Sequence, residues 1–246
     1  MRLLTFMLAC CTLFTCISPS YAQDKTQKKT QKKSAAVEDG FTAIFNGSDL
    51  TGWTGNADLW SVEDGSITGR TTAENPLKFN TFLIYDKGPV ADFELRLDYK
   101  ISDGNSGIQY RSQILDADKF IVGGYQADID ATSKYTGINY EERGRGILAE
   151  RGQRVTIATK DSKTVEDFGD RAELAKKLDP DGWNHYRIVA KGNKLSHYIN
   201  GALMSEVIDN QVDEAAKFGV LAFQVHQGPP MVVQFKNIRL KTLGLK

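Results

Sequence analysis

The stretch YRIVAKGNKLSHYING, Tyr186–Gly201, contains two turn dipeptides a strand's length apart, Gly192-Asn193 and Asn200-Gly201. Such pairs supply the positive φ that two-residue hairpin loops require. The residues between and before them are β-branched, aromatic or alternating in polarity, which is strand chemistry. The stretch therefore reads as two successive antiparallel hairpin arms. Asp64-Gly65 and Asp103-Gly104 repeat the same punctuation upstream. Working outward, TFLIYD, DFELRLDYKIS, SGIQYRSQIL, FIVGGYQADID, RVTIATK, KFGVLAFQVH and VVQFKNIRLKTL each show strand composition or period-two alternation. Only DFGDRAELAKKLDPDGW, Asp167–Trp183, carries a helical pattern, and Pro180 stops it. No strand alternates with a long helix, so a parallel sheet is not indicated. The expectation is an all-β chain of about a dozen strands, a two-sheet antiparallel jelly-roll sandwich with one short helix near 170–178.

The chain opens with MRLLTFMLACCTLFTCISPSYAQ: one basic residue, an apolar run, then small and polar residues. This is the pattern of a secretory signal peptide, cut after Ala22, and the run is short for a membrane span. A lipoprotein site at Cys10 or Cys16 is the rival reading. All three cysteines, Cys10, Cys11 and Cys16, fall in this segment, so residues 23–246 offer no disulfide, thiolate ligand or thiol nucleophile. A Lys/Gln/Thr-rich linker, residues 23–37, follows with a tandem TQKK repeat and too little apolar surface to offset its ordering entropy. Residues 38–246 then form one domain. The whole chain carries 31 basic and 31 acidic residues; without Arg2, Asp24 and the five lysines of the linker, 25 basic face 30 acidic. A mildly acidic domain is a poor ligand for phosphate backbones, so nucleic acid is not expected as a partner. The expected location is secreted or periplasmic, with no transmembrane segment.

In GYQADID, Gly124–Asp130, Tyr125, Ala127 and Ile129 alternate with Gln126, Asp128 and Asp130. Two acids and an amide on one strand face, between aromatics and glycines, suggest a site rather than a solvated surface. Simple alternation puts Gln109 and Arg111 of GIQYRS on one face, and Ala222, Gln224 and His226 of VLAFQVH on another. Tyr140 with Glu142, or Glu141 with Arg143, would add a fourth strand.

Several phrases carry a family resemblance: FNGSDLTGW, WSVEDGSITG, GNSGIQYRS, GYQADID, TGINYEERGRG, DGWNHYRIVAKGNKLSHYING and GVLAFQVHQGPP. In this order, over about 200 residues, the chain resembles the 3-keto-disaccharide hydrolase domain, also called the 3-keto-glucoside 1,2-lyase/hydratase domain. The resemblance implies a concanavalin A-like lectin/glucanase fold with sugars on a concave sheet. It implies cleavage of glycosides already oxidised at sugar C3, the substrate being supplied by a glycoside 3-dehydrogenase as functional partner. Relatives often carry a Tyr-Asp-Glu-Ser-Arg-Arg-like run where this chain reads Tyr140-Glu141-Glu142-Arg143-Gly144-Arg145, which puts substrate detail in question.

That chemistry needs a base for the C2 proton, donors for an enolate oxygen and an acid at the leaving group. Asp128, or one of Glu141 and Glu142, is the candidate base; His226 is a candidate acid or base. Arg111 and Arg143 could hold an enolate or sugar oxygens, with Gln109, Gln126, Tyr140 and Gln224 binding substrate. The step needs no hydride cofactor. A divalent metal on Asp128, Glu142 and His226 is the one cofactor considered. Competing readings stay open: an Arg111–Asp128 cross-strand ion pair, Asp130 as a turn residue, and His185 and His197 as ordinary strand residues. Trp53, Trp60 and Trp183 are expected mostly in the core. A retaining glycosidase would need two close carboxylates, commonly from an E-x-D-x-E strand, and no such triplet occurs. A non-catalytic lectin-like module is the alternative from another class.

Overall fold

A computed structural model describes residues 40–244. The leader and linker assigned above lie outside the described residues. In chain order the strands are β1 (Thr42–Ala43), β2 (Trp53–Thr54), β3 (Trp60–Glu63), β4 (Ser66–Arg70), β5 (Thr81–Tyr85), β6 (Phe93–Ser102), β7 (Asn105–Asp116), β8 (Ile121–Asp130) and β9 (Asn139–Glu142). They continue as β10 (Gly146–Ala149), β11 (Gln153–Thr159), β12 (Ser162–Asp167), β13 (Asn184–Lys191), β14 (Lys194–Ile199), β15 (Ala202–Asp209), β16 (Val220–Val225) and β17 (Val232–Thr242). The one helix among these residues, α1 (Arg171–Ala175), is capped by Asp170, whose side chain accepts from the N–H groups of Ala172 and Glu173.

Ten strands form one sheet in the order β12-β11-β15-β14-β13-β6-β17-β4-β3, with β1 against β17; seven form the other, β10-β9-β8-β7-β16-β5-β2. This is the all-β two-sheet sandwich expected, with more strands because several runs divide at their turns. One pair departs from the antiparallel expectation: β11 and β15 run parallel. The opening stretch forms β13 and β14, paired antiparallel from Lys191↔Lys194 outward. Asp64-Gly65, Asp103-Gly104 and Asn200-Gly201 all take positive φ at both positions; the first and last close tight hairpins, whereas Asp103-Gly104 carries the chain from β6 in one sheet to β7 in the other.

Between the sheets, alternate residues of β6 (Phe93, Leu95, Leu97, Tyr99, Ile101) meet Ile108, Tyr110, Tyr125, Ala127, Leu221, Phe223 and Val225 of the seven-stranded sheet. Phe223 stacks on Phe235 across the core with centroids 4.0 Å apart, and on Trp53 at 4.9 Å. Trp53 and Trp60 are buried as expected, while half-buried Trp183 carries Lys236 Nζ 3.6 Å above its ring. His197 is fully buried, within hydrogen-bonding distance of the Tyr110 hydroxyl at 2.8 Å, and is a structural residue. Because period two sends these side chains inward, Gln109, Gln126, Asp128, Ala222 and Gln224 face away from the partner sheet.

That outer face curls. Three strands separate β9 from β5 in the sheet order, yet Asn80, just before β5, donates to Glu142 of β9 at 3.0 Å. A flat sheet would hold these strands about 19 Å apart at normal spacing. The face is therefore a cup, floored at one end by the small apolar cluster Phe82, Ile84, Val122 and Ala222.

Candidate active site

The cup holds a cavity of about 630 Å³ whose lining includes Asn80, Asn105, Gln126, Asp128, Tyr140, Glu142, Arg143 and His226. Its floor is a directed chain of donors. Ser112 Oγ donates to Gln109 Oε1 at 2.6 Å, Gln109 Nε2 to Gln126 Oε1 at 2.7 Å, and Gln126 Nε2 to Asp128 Oδ1 at 2.5 Å. Gln224 Nε2 adds a second bond to Gln126 Oε1 at 3.1 Å. With its oxygen taken by two amide donors, Gln126 can present only N–H to Asp128. Gly107 makes this possible. It faces Asp128 across β7–β8, and a Cβ there would fall 2.4 Å from Gln126 Cδ, so only glycine lets the amide lie across the strand.

Asp128 is 6% exposed. Burial pushes its carboxyl up to about 7, against the hydrogen bonds from Gln126 and Asn105, with the charges of Glu142 and Asp130 adding to the rise. A carboxyl of that pKa can take and return a proton near neutrality. Glu142, 7% exposed, accepts from Asn80, lies 3.5 Å from Gln224 Nε2, and has Arg143 Nε 3.9 Å away. Burial also raises the Tyr140 phenol, helped by the charges of Glu142 and Asp128. His226 is half-buried on the rim, its Nδ1 next to the carbonyl of Gln227.

Of the residues singled out from sequence, Gln126, Asp128, Tyr140, Glu142, Arg143 and His226 line this cavity, and Gln109 and Gln224 brace it from the floor. Two do not belong. Arg111 faces the other way: the β7–β8 register shifts between Tyr110 and Gln113, and Arg111 sits at φ 47° within the bulge. An extra residue reverses the alternation. Its guanidinium donates to the carbonyls of Ala91 and Gly192, both at 2.7 Å, and to Asp92 at 2.8 Å. No Arg111–Asp128 ion pair exists. Glu141 also points away, since it pairs across strands with Tyr125, a core-facing residue. Arg145 holds it at 2.7 and 3.0 Å while also binding Asp209 at 2.7 Å. Asp130 lies at the cavity edge and turns the chain, accepting from Thr132 N–H at 2.7 Å.

Asp128, Glu142 and His226 share the cavity, yet among the described residues no three His, Cys, Asp or Glu side chains come together as a set that could hold a metal ion. The sequence reading passed over Asn80, Tyr135, Ile138, Ile147 and Gln227, which also line it. Asn105 and Ser112 were within reach of that reading, since both fall in GNSGIQYRS. Among the described residues no helix is long and apolar enough to cross a membrane.

The fold has counterparts. A candidate glycosyl hydrolase from Parabacteroides distasonis superposes with TM-score 0.54 at 18% identity, over 82% of this chain and 99% of that one. A carbohydrate-binding module from Bacillus subtilis gives 0.51 at 18% identity, over 78% and 96%. A Bacillus subtilis protein with a galectin-like fold gives 0.52 at 10% identity, over 78% and 90%. At these identities the likeness is one of fold. No curated protein matches the chain. A family model described as a 3-keto-alpha-glucoside-1,2-lyase-like domain matches residues 40–241.

Proposed function

The chain belongs to the 3-keto-alpha-glucoside-1,2-lyase-like family, and from that premise we propose that it cleaves glycosides whose sugar is already a ketone at C3. One observation carries the reading: a buried carboxyl, Asp128, held near pKa 7 by its surroundings and aimed by a chain of amide donors into a sugar-sized cavity.

The C3 ketone acidifies the C2 hydrogen. Asp128 removes that proton, and the electron pair moves onto the C3 oxygen as an enolate. Arg143, on the cavity wall, supplies donors to that oxygen. The enolate collapses to restore the ketone and form the C1–C2 double bond, and the C1–oxygen bond to the aglycone breaks. His226 on the rim protonates the departing oxygen. Water then adds at C1, giving up a proton that restores His226, while Asp128 returns a proton to C2, so elimination plus hydration amounts to hydrolysis. Glu142 lies within reach of the Gln224 amide and Arg143, fixing both beside the sugar. The ketone arises from an ordinary glycoside by two-electron oxidation at C3, which a separate glycoside 3-dehydrogenase would perform. The leader pattern supports export to the envelope.

The test is incubation of the full chain with 3-keto-trehalose and alkyl 3-keto-glucosides, following aglycone release and the transient enone absorbance. Release by the native protein, lost in Asp128→Asn, supports the reading. Unchanged substrates across the panel overturn it, and sugar binding without release would establish the lectin-like alternative.

A further inference from the structure

The outer face of the seven-stranded sheet is organised in register rows. One row crosses four strands: Gln109 faces Gln126, Gln126 faces Tyr140, and Tyr140 faces Ile147. It runs from buried amide to half-buried phenol to an aliphatic side chain that is 39% exposed. Six large apolar side chains stand exposed among the described residues, and of these only Ile147 lines the cavity. Tyr135 and buried Ile138 line the same cavity. The opposite flank, Asn80, His226 and Gln227, is polar. An exposed apolar surface inside a ligand cavity marks what the ligand brings to it.

A sugar carries oxygen on every ring carbon and needs the polar flank. With strands about 4.8 Å apart, Ile147 lies about 10 Å from Gln126, beyond the reach of one pyranose ring seated over the Gln126–Asp128 centre. The group that covers Tyr140 and Ile147 is then the C1 substituent. A second sugar would turn hydroxyls against Ile147 and leave them without partners, which disfavours it. The carboxylates of Asp128, Asp130 and Glu142 outnumber the Arg143 guanidinium around the same cavity and oppose an anionic substituent.

We propose that the Tyr140–Ile147 flank is an aglycone subsite that selects a neutral, apolar leaving group over a second sugar. This rests on the 3-keto-glycoside reading. The experiment compares kcat/KM for methyl and cyclohexylmethyl 3-keto-glucosides, whose leaving alcohols are alike in acidity, and for 3-keto-trehalose, whose leaving hemiacetal hydroxyl is the more acidic, so that intrinsic leaving ability works against the expected order. The cyclohexylmethyl substrate should exceed the other two by about tenfold, and Ile147→Ser should erase that advantage while leaving the methyl substrate unchanged. Equal rates, a preference for 3-keto-trehalose, or an equal loss on all three in Ile147→Ser overturns the subsite and leaves the function standing. Calorimetric titration with the unoxidised methyl and cyclohexylmethyl glucosides reads the same flank without turnover. About tenfold tighter binding of the latter, lost in Ile147→Ser, supports the subsite even if no substrate is consumed. Equal affinities overturn it.

Discussion

Replacing Asp128 by Asn should make the protein more stable and inactive, with the gain in stability dependent on pH. The carboxyl has an ordinary value of 3.8 and stands at about 7 in the fold. Its native pKa is raised, so its favourable contribution is complete below 3.8 and is lost as pH climbs to about 7. Three pH units at about 1.4 kcal/mol each give a loss of about 4 kcal/mol above neutrality. Asn keeps an oxygen to accept from Gln126 Nε2 and never ionises. The variant should match wild type near pH 4 and exceed it by about 4 kcal/mol at pH 8. For a domain of this size that is a rise in Tm on the order of 10 °C.

The assay is thermal or urea unfolding of both proteins across pH 4–9. The difference between them is the quantity to read, because His197 works in the opposite direction. Burial pushes that imidazole down to about 3, so it costs stability as pH falls below its ordinary 6.5, over much of the same window. The two slopes offset one another in the wild-type curve, and only the difference isolates Asp128. In parallel, wild-type kcat/KM on a 3-keto-glycoside should rise with pH through about 7, and Asp128→Asn should lower it by about 10²- to 10⁴-fold. A stability difference independent of pH, or a variant less stable at pH 8, would refute the assignment of a buried, reluctantly ionised carboxylate.

Glu142→Gln removes a charge that raises the Asp128 pKa, so the midpoint of the pH–rate profile should move to lower pH. The move should be less than about one unit because burial is the larger cause; an alkaline move would count against the pairing of the two carboxylates. Gly107→Ala places a methyl 2.4 Å from Gln126 Cδ, displacing the amide that aims Asp128. Turnover should fall by about tenfold to a hundredfold with circular dichroism unchanged. Arg145→Met strips the cation from nearly buried Glu141 and Asp209. It should cost about 3 kcal/mol in urea unfolding at an unchanged m-value, with turnover per folded molecule retained.

The sequence disclosed what period two can disclose. Within unbroken strands, Gln109, Gln126, Asp128 and Gln224 share a face because their apolar neighbours must all turn to the core, and three of the four turn dipeptides located hairpins. Contacts made by curvature were out of reach: Asn80 and Glu142 are 62 positions apart, and nothing local in either segment announces the other. Ile147 gave no signal of its own, because its significance comes from its cross-strand row. Arg111 failed for a different reason, one with a visible trace. Opposite the bulge stands Gly124 at φ 139°, where a Cβ would lie 2.6 Å from Ser112 Oγ, and glycine inside a strand is the usual mark of a bulge. The consequence reaches the chemistry. Had simple alternation held, Arg111 would stand opposite Gly124 on the cavity face, in one row with Glu142. Instead the bulge sends that cation to Asp92, and the groups that set the Asp128 pKa include no cation. The Asp128 carboxyl rises to about 7 chiefly through burial, and the feature that defeats the pattern reading keeps the Arg111 guanidinium off the face where that carboxyl works.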